Sequence, residues 1–151
     1  MVDTDEGNRT IHCNSNRIGF LTQAGGWGAW SDDDGAWGVA GQMYAVGNVT
    51  AYYSDERLKT KLGNITNALE KVRSLNGFYF EANETAQALG YKKKREVGVS
   101  AQEVEKILPE IIAPAPVDAQ YKTLDYSKLV PLLIEAIKEQ QLQIDELKKR
   151  L

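Results

Sequence analysis

The most restrictive feature of this chain is a seven-residue repeat near its end. Val130, Ile137, Ile144 and Leu151 recur every seven residues, and Leu133, Gln140 and Leu147 form the companion row. These are the a and d positions of a coiled coil, alternately three and four apart. A helix packing only on its own domain needs a broader apolar face, so the strict period favours self-association. Asp125 or Ser127 can cap the start, and Lys148, Lys149 and Arg150 complement the dipole at the end. Pro131 falls near the first turns, where it is tolerated or bends the helix. The expected helix runs from about 126 to 151. Its pattern leaves the number of strands open. Ile at a with Leu at d leans towards dimers, while polar Gln140 can fix register in any state.

The rest of the chain has two grammars. Residues 1–53 hold 9 of the 13 glycines and all three tryptophans but no lysine. Short alternating patches, Arg17-Ile18-Gly19-Phe20-Leu21 and Trp37-Gly38-Val39-Ala40, stand between Gly-rich and Asp-rich turns. They predict short β-strands without a helix of useful length. Gly-rich strands with few large apolar residues bury little alone and need neighbouring chains to complete a core.

After Ser54 the prediction is α+β. Asn64 or Thr66 can cap a helix with Ile65, Leu69, Val72 and Leu75 on one face, ended by Asn76-Gly77. Phe78–Phe80 reads as a strand, Ala86–Gly90 as a helical turn, and Tyr91–Arg95 as an exposed loop. Glu96–Val99 is a second strand, and Ala101–Leu108 a helix stopped before Pro109. Pro114 and Pro116 mark a loop, and Tyr121–Leu124 a third strand. The expected domains are 1–53 and 54–151.

Bulk properties remove several function classes. A net charge of −3 argues against a general nucleic-acid binder, which needs a cationic surface. Cys13 is the only cysteine, so neither an intrachain disulfide nor a Cys-based zinc site is expected. No stretch has the apolar length of a membrane span, and the acidic start does not suit a signal peptide. A soluble protein made in a reducing cytoplasm is expected, and Met1 preceding mid-protein-like sequence suggests a piece of a longer chain.

Ser54-Asp55-Glu56-Arg57-Leu58-Lys59 resembles the junction motif of the intramolecular chaperone family first known from endosialidase tailspikes. Further motifs follow in the family's order. They are Leu69-Glu70-Lys71-Val72, Phe78-Tyr79-Phe80, Gly98-Val99-Ser100-Ala101-Gln102-Glu103-Val104, Leu108-Pro109-Glu110, and Asp125-Tyr126 before Leu129-Val130-Pro131-Leu132-Leu133. The resemblance covers residues 54–151, and Gly26–Ser31 looks like the fibre sequence that often precedes such chaperones. It implies a homotrimer in which residues 1–53 end a phage tail fibre or tailspike and residues 54–151 guide its folding. It also implies that a Ser–Lys pair then cuts the chain between Tyr53 and Ser54, with Ser54 and Lys59 at the family's catalytic positions. Assembly would occur in the host cytoplasm, with the fibre part kept in the virion tail and the chaperone released. The family's membrane-tethered transcription factors are a poor match, since this chain has neither a span nor a basic DNA-binding region.

The chemistry is sound on elementary grounds. A serine hydroxyl attacks only when a base takes its proton, and lysine can serve once burial has made its amine neutral. Backbone N–H groups beyond Ser54 could stabilise the oxyanion if they open a helical turn. Gln102 either donates to that oxyanion or orients Ser54, or it merely caps a strand-to-helix turn. From local sequence alone, Ser54 reads equally as an N-cap and Lys59 as a solvated charge. Two rival functions stay open. One is a permanent trimerisation domain that never cleaves. The other is a fibre tip whose Trp27, Trp30 and Trp37 bind a host-surface glycan, although packing within the stem also explains them. No metal or cofactor is expected. His12-Cys13 lacks a third ligand, and Asp32-Asp33-Asp34-Gly35 fails the calcium-loop spacing. The sequons at Asn8, Asn48, Asn64 and Asn83 lack a secretory context. Lys92-Lys93-Lys94-Arg95 reads as a solvated loop.

Overall fold

A computed structural model describes residues 10–49 and 53–150; Asn8 and the last heptad position, Leu151, lie outside them. The chain divides into two compact units, one up to Lys59 and one from Thr60.

The first unit is an antiparallel meander of β1 (Thr10–Cys13), β2 (Arg17–Leu21), β3 (Trp27–Asp32) and β4 (Trp37–Val39), in that spatial order. β2 and β4 lie on the two alternating patches. β1 and β3 add strands that the sequence did not mark one by one. Gly25 and Gly35 take positive φ in the connecting turns, where a side chain would be strained. The register separates the faces, because successive residues of a strand point to opposite sides. His12, Gly19, Trp30 and Gly38 form one rung. There the Trp30 indole lies across Gly38, so close that a Cβ at Gly38 would fall 2.1 Å from the ring. The Arg17 guanidinium stacks 5.1 Å from the same ring, and Trp27 meets His12 edge-on at 5.4 Å. That face packs on itself.

The opposite face does not. It carries Ile11, Phe20, Ala29 and Val39 on one rung and Cys13, Ile18, Ser31 and Trp37 on another. Ile11 is 70% exposed and Trp37 76%, with Ile18 and Phe20 more than half exposed. Among the described residues of this unit, no apolar side chain is buried. The sheet therefore has no core of its own, as its glycine content led us to expect.

The second unit is α+β. Its elements are α1 (Ala68–Arg73), β5 (Gly77–Phe80), α2 (Glu84–Ala88), β6 (Glu96–Val99), α3 (Ala101–Glu105), β7 (Ile112–Ala115), β8 (Asp118–Leu124) and α4 (Leu129–Lys149). β5 pairs with β6 and β7 with β8, both antiparallel. No described helix is long and apolar enough to cross a membrane. Two sequence motifs far apart in the chain meet behind β6. The Tyr126 hydroxyl accepts the Val99 N–H at 3.3 Å, and a Cβ at Gly98 would stand 2.7 Å from that hydroxyl. Glycine is needed there for close approach, not for an unusual φ.

Three local expectations are corrected. Pro114 is not in a loop but in β7, opposite Lys122. Proline survives because the hairpin has only two strands, so an outward-facing position needs no ladder N–H. Helix α3 stops at Glu105 instead of Leu108, and the chain reaches Pro109–Ile111, a 3-10 turn, through Leu108. Helix α1 starts at Ala68, so neither Asn64 nor Thr66 caps it. Asn67 stands at the cap with φ +53° and makes no capping bond of its own.

The missing cap comes from α4. Leu132, Ala136 and Ala68 form a small core, wrapped by Ile65, Leu69, Val72, Ile107, Leu108 and Leu129. One turn past Ala136, the Glu139 carboxylate accepts the N–H groups of Ala68 at 2.9 Å and Leu69 at 2.8 Å. These two helix-start donors have no partner within α1. The Leu69 and Ala68 bonds hold the Glu139 carboxyl below its ordinary value, so its stabilising effect is complete above the ordinary glutamate range. That effect is lost as pH falls through the lowered value. Replacing Glu139 by Gln is therefore expected to lower the melting temperature at neutral pH. It should also flatten the acid side of the melting-temperature profile, as thermal melts from pH 7 down to about pH 3 would show.

Helix α4 has a second row. Val130, Leu133, Ile137, Gln140, Ile144 and Leu147 lie roughly a third of a turn from the Leu132–Ala136–Glu139 row at 100° per residue. All six are exposed, Ile137 at 65%. The helix thus fastens to its own unit with one face and leaves the heptad stripe uncovered. Asp125 does cap the entry, through a 3-10 turn at Tyr126–Lys128, and Pro131 sits in the first turn of α4, where no intrahelical N–H is required.

Candidate functional site

The junction motif folds into one tight turn. Asp55 has extended backbone and accepts the Arg57 N–H at 2.9 Å, capping a 3-10 turn at Glu56–Leu58. Backbone bonds from Leu58 to Asp55 and from Lys59 to Glu56 close it. Arg57 then grips the same carboxylate with its side chain. Its Nε lies 3.0 and 3.2 Å from the two Asp55 oxygens, and its Nη2 lies 2.6 Å from Oδ2. The Asp55 carboxyl is held below its ordinary value, first by this side-chain grip and then by the backbone bond.

The turn sends Lys59 back towards the serine. Its Nζ donates to the Ser54 carbonyl at 3.3 Å and lies 5.9 Å from the centre of the Tyr53 ring. Tyr53, Ser54 and Lys59 are thus brought together. The amine meets the carbonyl on the C-terminal side of the serine, one peptide bond beyond the carbonyl that a cut before Ser54 would attack. To act as a base it must exchange this bond for one with Oγ. The desolvation required to neutralise an amine is not supplied within the described chain, because residues 53–60 are all exposed.

Gln102 lies in the second unit, in the first turn of α3. Its Oε1 accepts the Ser100 hydroxyl at 3.2 Å, and Ser100 in turn accepts the Glu103 N–H at 3.4 Å as the helix N-cap. This bond serves the strand-to-helix turn. The heptad positions from Val130 to Leu147 stand on the outer row of α4. The basic loop is tied to the β5–β6 pair, with Arg95 stacked 4.0 Å from the Tyr79 ring and Lys93 near Glu81. Sequence reasoning missed the Arg57–Asp55 grip. The signal for it was an aspartate two residues ahead of an arginine at the start of a turn.

Comparison with known proteins covers the same region. Residues 54–113 match the family described as the chaperone of endosialidase. The chain is similar to three long tail fibre proteins named Gp37. It is 32% identical to that of Enterobacteria phage K3 over 117 residues, which is 74% of this chain and 9% of the relative. The figures for Enterobacteria phage T2 are the same. With Enterobacteria phage Ox2 it shares 39% over 106 residues, 68% of this chain and 42% of the relative. The chain therefore spans less than half the length of these fibre proteins.

Proposed function

We propose, from the membership of residues 54–113 in the endosialidase chaperone family, that this chain ends a phage tail fibre with a chaperone that trimerises it and then releases itself. The observation that carries the reading is the turn from Ser54 to Lys59, at the end of the first compact unit, which holds Lys59 Nζ 3.3 Å from the serine carbonyl. Two uncovered apolar surfaces support self-association. One is the Ile11–Ile18–Phe20 face of the sheet, and the other is the heptad row of α4. Equivalent surfaces of further copies are the partners that would cover both. The number three is what the resemblance of residues 54–151 to that family implies. The client is the preceding fibre chain, and the fibre part stays with the virion tail.

Cleavage proceeds as an N-to-O acyl shift. Lys59, neutral once other copies exclude water from it, takes the Ser54 Oγ proton while Oγ bonds to the Tyr53 carbonyl carbon. The Tyr53–Ser54 C–N bond then breaks, and the proton passes to the departing Ser54 nitrogen. Water adds to the resulting ester, leaving a Tyr53 carboxylate and regenerating the Ser54 hydroxyl.

Intact-mass measurement on the purified assembly tests this reading. It should show two fragments, the second running from Ser54 to Leu151. Ser54→Ala should fold, assemble as three chains by light scattering, and remain whole, since it removes only the nucleophile. An assembled parent chain that stays uncut would leave a permanent trimerisation domain as the function.

A further inference from the structure

We infer that Arg57 is a positioning residue of the cleavage site, gripping both oxygens of Asp55 so that this carboxylate does not pair with the Lys59 ammonium. The inference rests on the reading of Lys59 as the base. Asp55 follows the attacking serine in the chain, and the Lys59 amine lies 3.3 Å from the serine carbonyl, the group bonded to the Asp55 nitrogen. An aspartate left free there would form an ion pair with the amine and hold its proton in place, the opposite of what a base requires. The geometry prevents this. Arg57 contributes three side-chain contacts of 2.6 to 3.2 Å to Asp55, while Lys59 is directed to the Ser54 carbonyl instead.

The grip has little value as a fold-stabilising contact. The Arg57 side chain is 88% exposed, and ion pairs in such settings contribute little. Its use is therefore sought in what it does to its neighbours. The charged groups around Lys59 on this turn are Asp55, Glu56 and Arg57, with Lys61 two residues on, and the Tyr53 ring lies against the amine. Only Asp55 both borders Ser54 and has its two oxygens occupied. When assembly excludes water from the site, a bare carboxylate beside an ammonium would couple more strongly, and so its occupation matters most at the moment of cleavage.

The test follows self-cleavage of freshly synthesised full-length chain, jumped to values between about pH 6 and about pH 10 and sampled on gels. Arg57→Gln should assemble like the parent by light scattering. The rising limb of its pH–rate profile should move up by about one pH unit, leaving the cut roughly tenfold slower at neutral pH. Arg57→Lys, which keeps the charge but loses the two-oxygen grip, should fall between. Adding Asp55→Asn to Arg57→Gln should return the limb to the parental position. Unmoved limbs in Arg57→Gln and Arg57→Lys, even with a uniformly slower rate, would overturn the inference, as would a double variant that stays shifted. If Lys59→Ala is cut at the parental rate, the base reading itself fails and the inference falls with it. Dependence on Lys59 together with unmoved limbs overturns the inference alone.

Discussion

A chain carrying Ile137→Glu and Ile144→Glu is expected to be monomeric and uncut, although Ser54 and Lys59 are untouched. Both isoleucines lie on the outer row of α4, away from the Leu132–Ala136 core, so the second unit should keep its helical circular dichroism. What would be lost is the proposed seam. Burying each isoleucine against other copies contributes about 1.5 to 3 kcal/mol per chain, and the glutamates add like-charge repulsion around the axis. The loss of cleavage follows from exposure. In the single chain every residue from Tyr53 to Thr60 faces solvent, so the water-excluded setting that the proposed dyad needs would be missing. Light scattering and intact mass on the same sample decide the matter. A monomer cut at the parental rate would show that the dyad is complete within one chain, and the coupling of proteolysis to assembly would be abandoned.

Leu132→Ala is expected to act on the other face of the same helix, with a loss of about 2 to 5 kcal/mol in unfolding free energy. Leu132 is fully buried, at 0% exposure, and no other side chain in its cluster with Ala68 and Ala136 is both buried and large. Two alanines beside it cannot fill the cavity left behind. The loss should also reach α1, because the Glu139 cap is delivered by the same helix two turns on. Urea unfolding of the uncleavable Ser54→Ala protein, at fixed chain concentration, measures the effect against Ser54→Ala alone. A change below about 1 kcal/mol would mean that α4 is held by something other than this core.

These two variants divide what was legible in the sequence from what was not. The heptad row could be read because its period belongs to one helix, and Ile137 and Ile144 declare it without reference to any other element. Leu132 and Ala136, which hold the helix to its own unit, fall outside the heptad and were hidden by it. The cap on α1 was unreadable for a different reason. Its acceptor lies about seventy residues away, and nothing around Asn67 signals that a glutamate will arrive. Pro114 misled because proline argues against a strand interior, and only the two-stranded pairing reveals that its missing N–H is harmless. At the candidate site, motif order alone drew attention to Ser54 and Lys59, and their spacing of five turned out to suit a single 3-10 turn. The partnership of Asp55 with Arg57 went unseen because adjacent charged residues on a hydrophilic stretch ordinarily point into water.

If this chain forms part of a fibre, as proposed, the bare sheet of the first unit has a consequence for it. Four short strands with no buried apolar side chain hold little within one chain that could direct their refolding. If the second unit leaves after cleavage, as proposed, whatever brought the sheets of several copies together would leave with it. On this reading the mature tip is durable only through slow opening, and heating it past its limit destroys it for good: cooling would not retrace the path. The fibre end would then be an object assembled once, whose lifetime is set by a rate and not by an equilibrium.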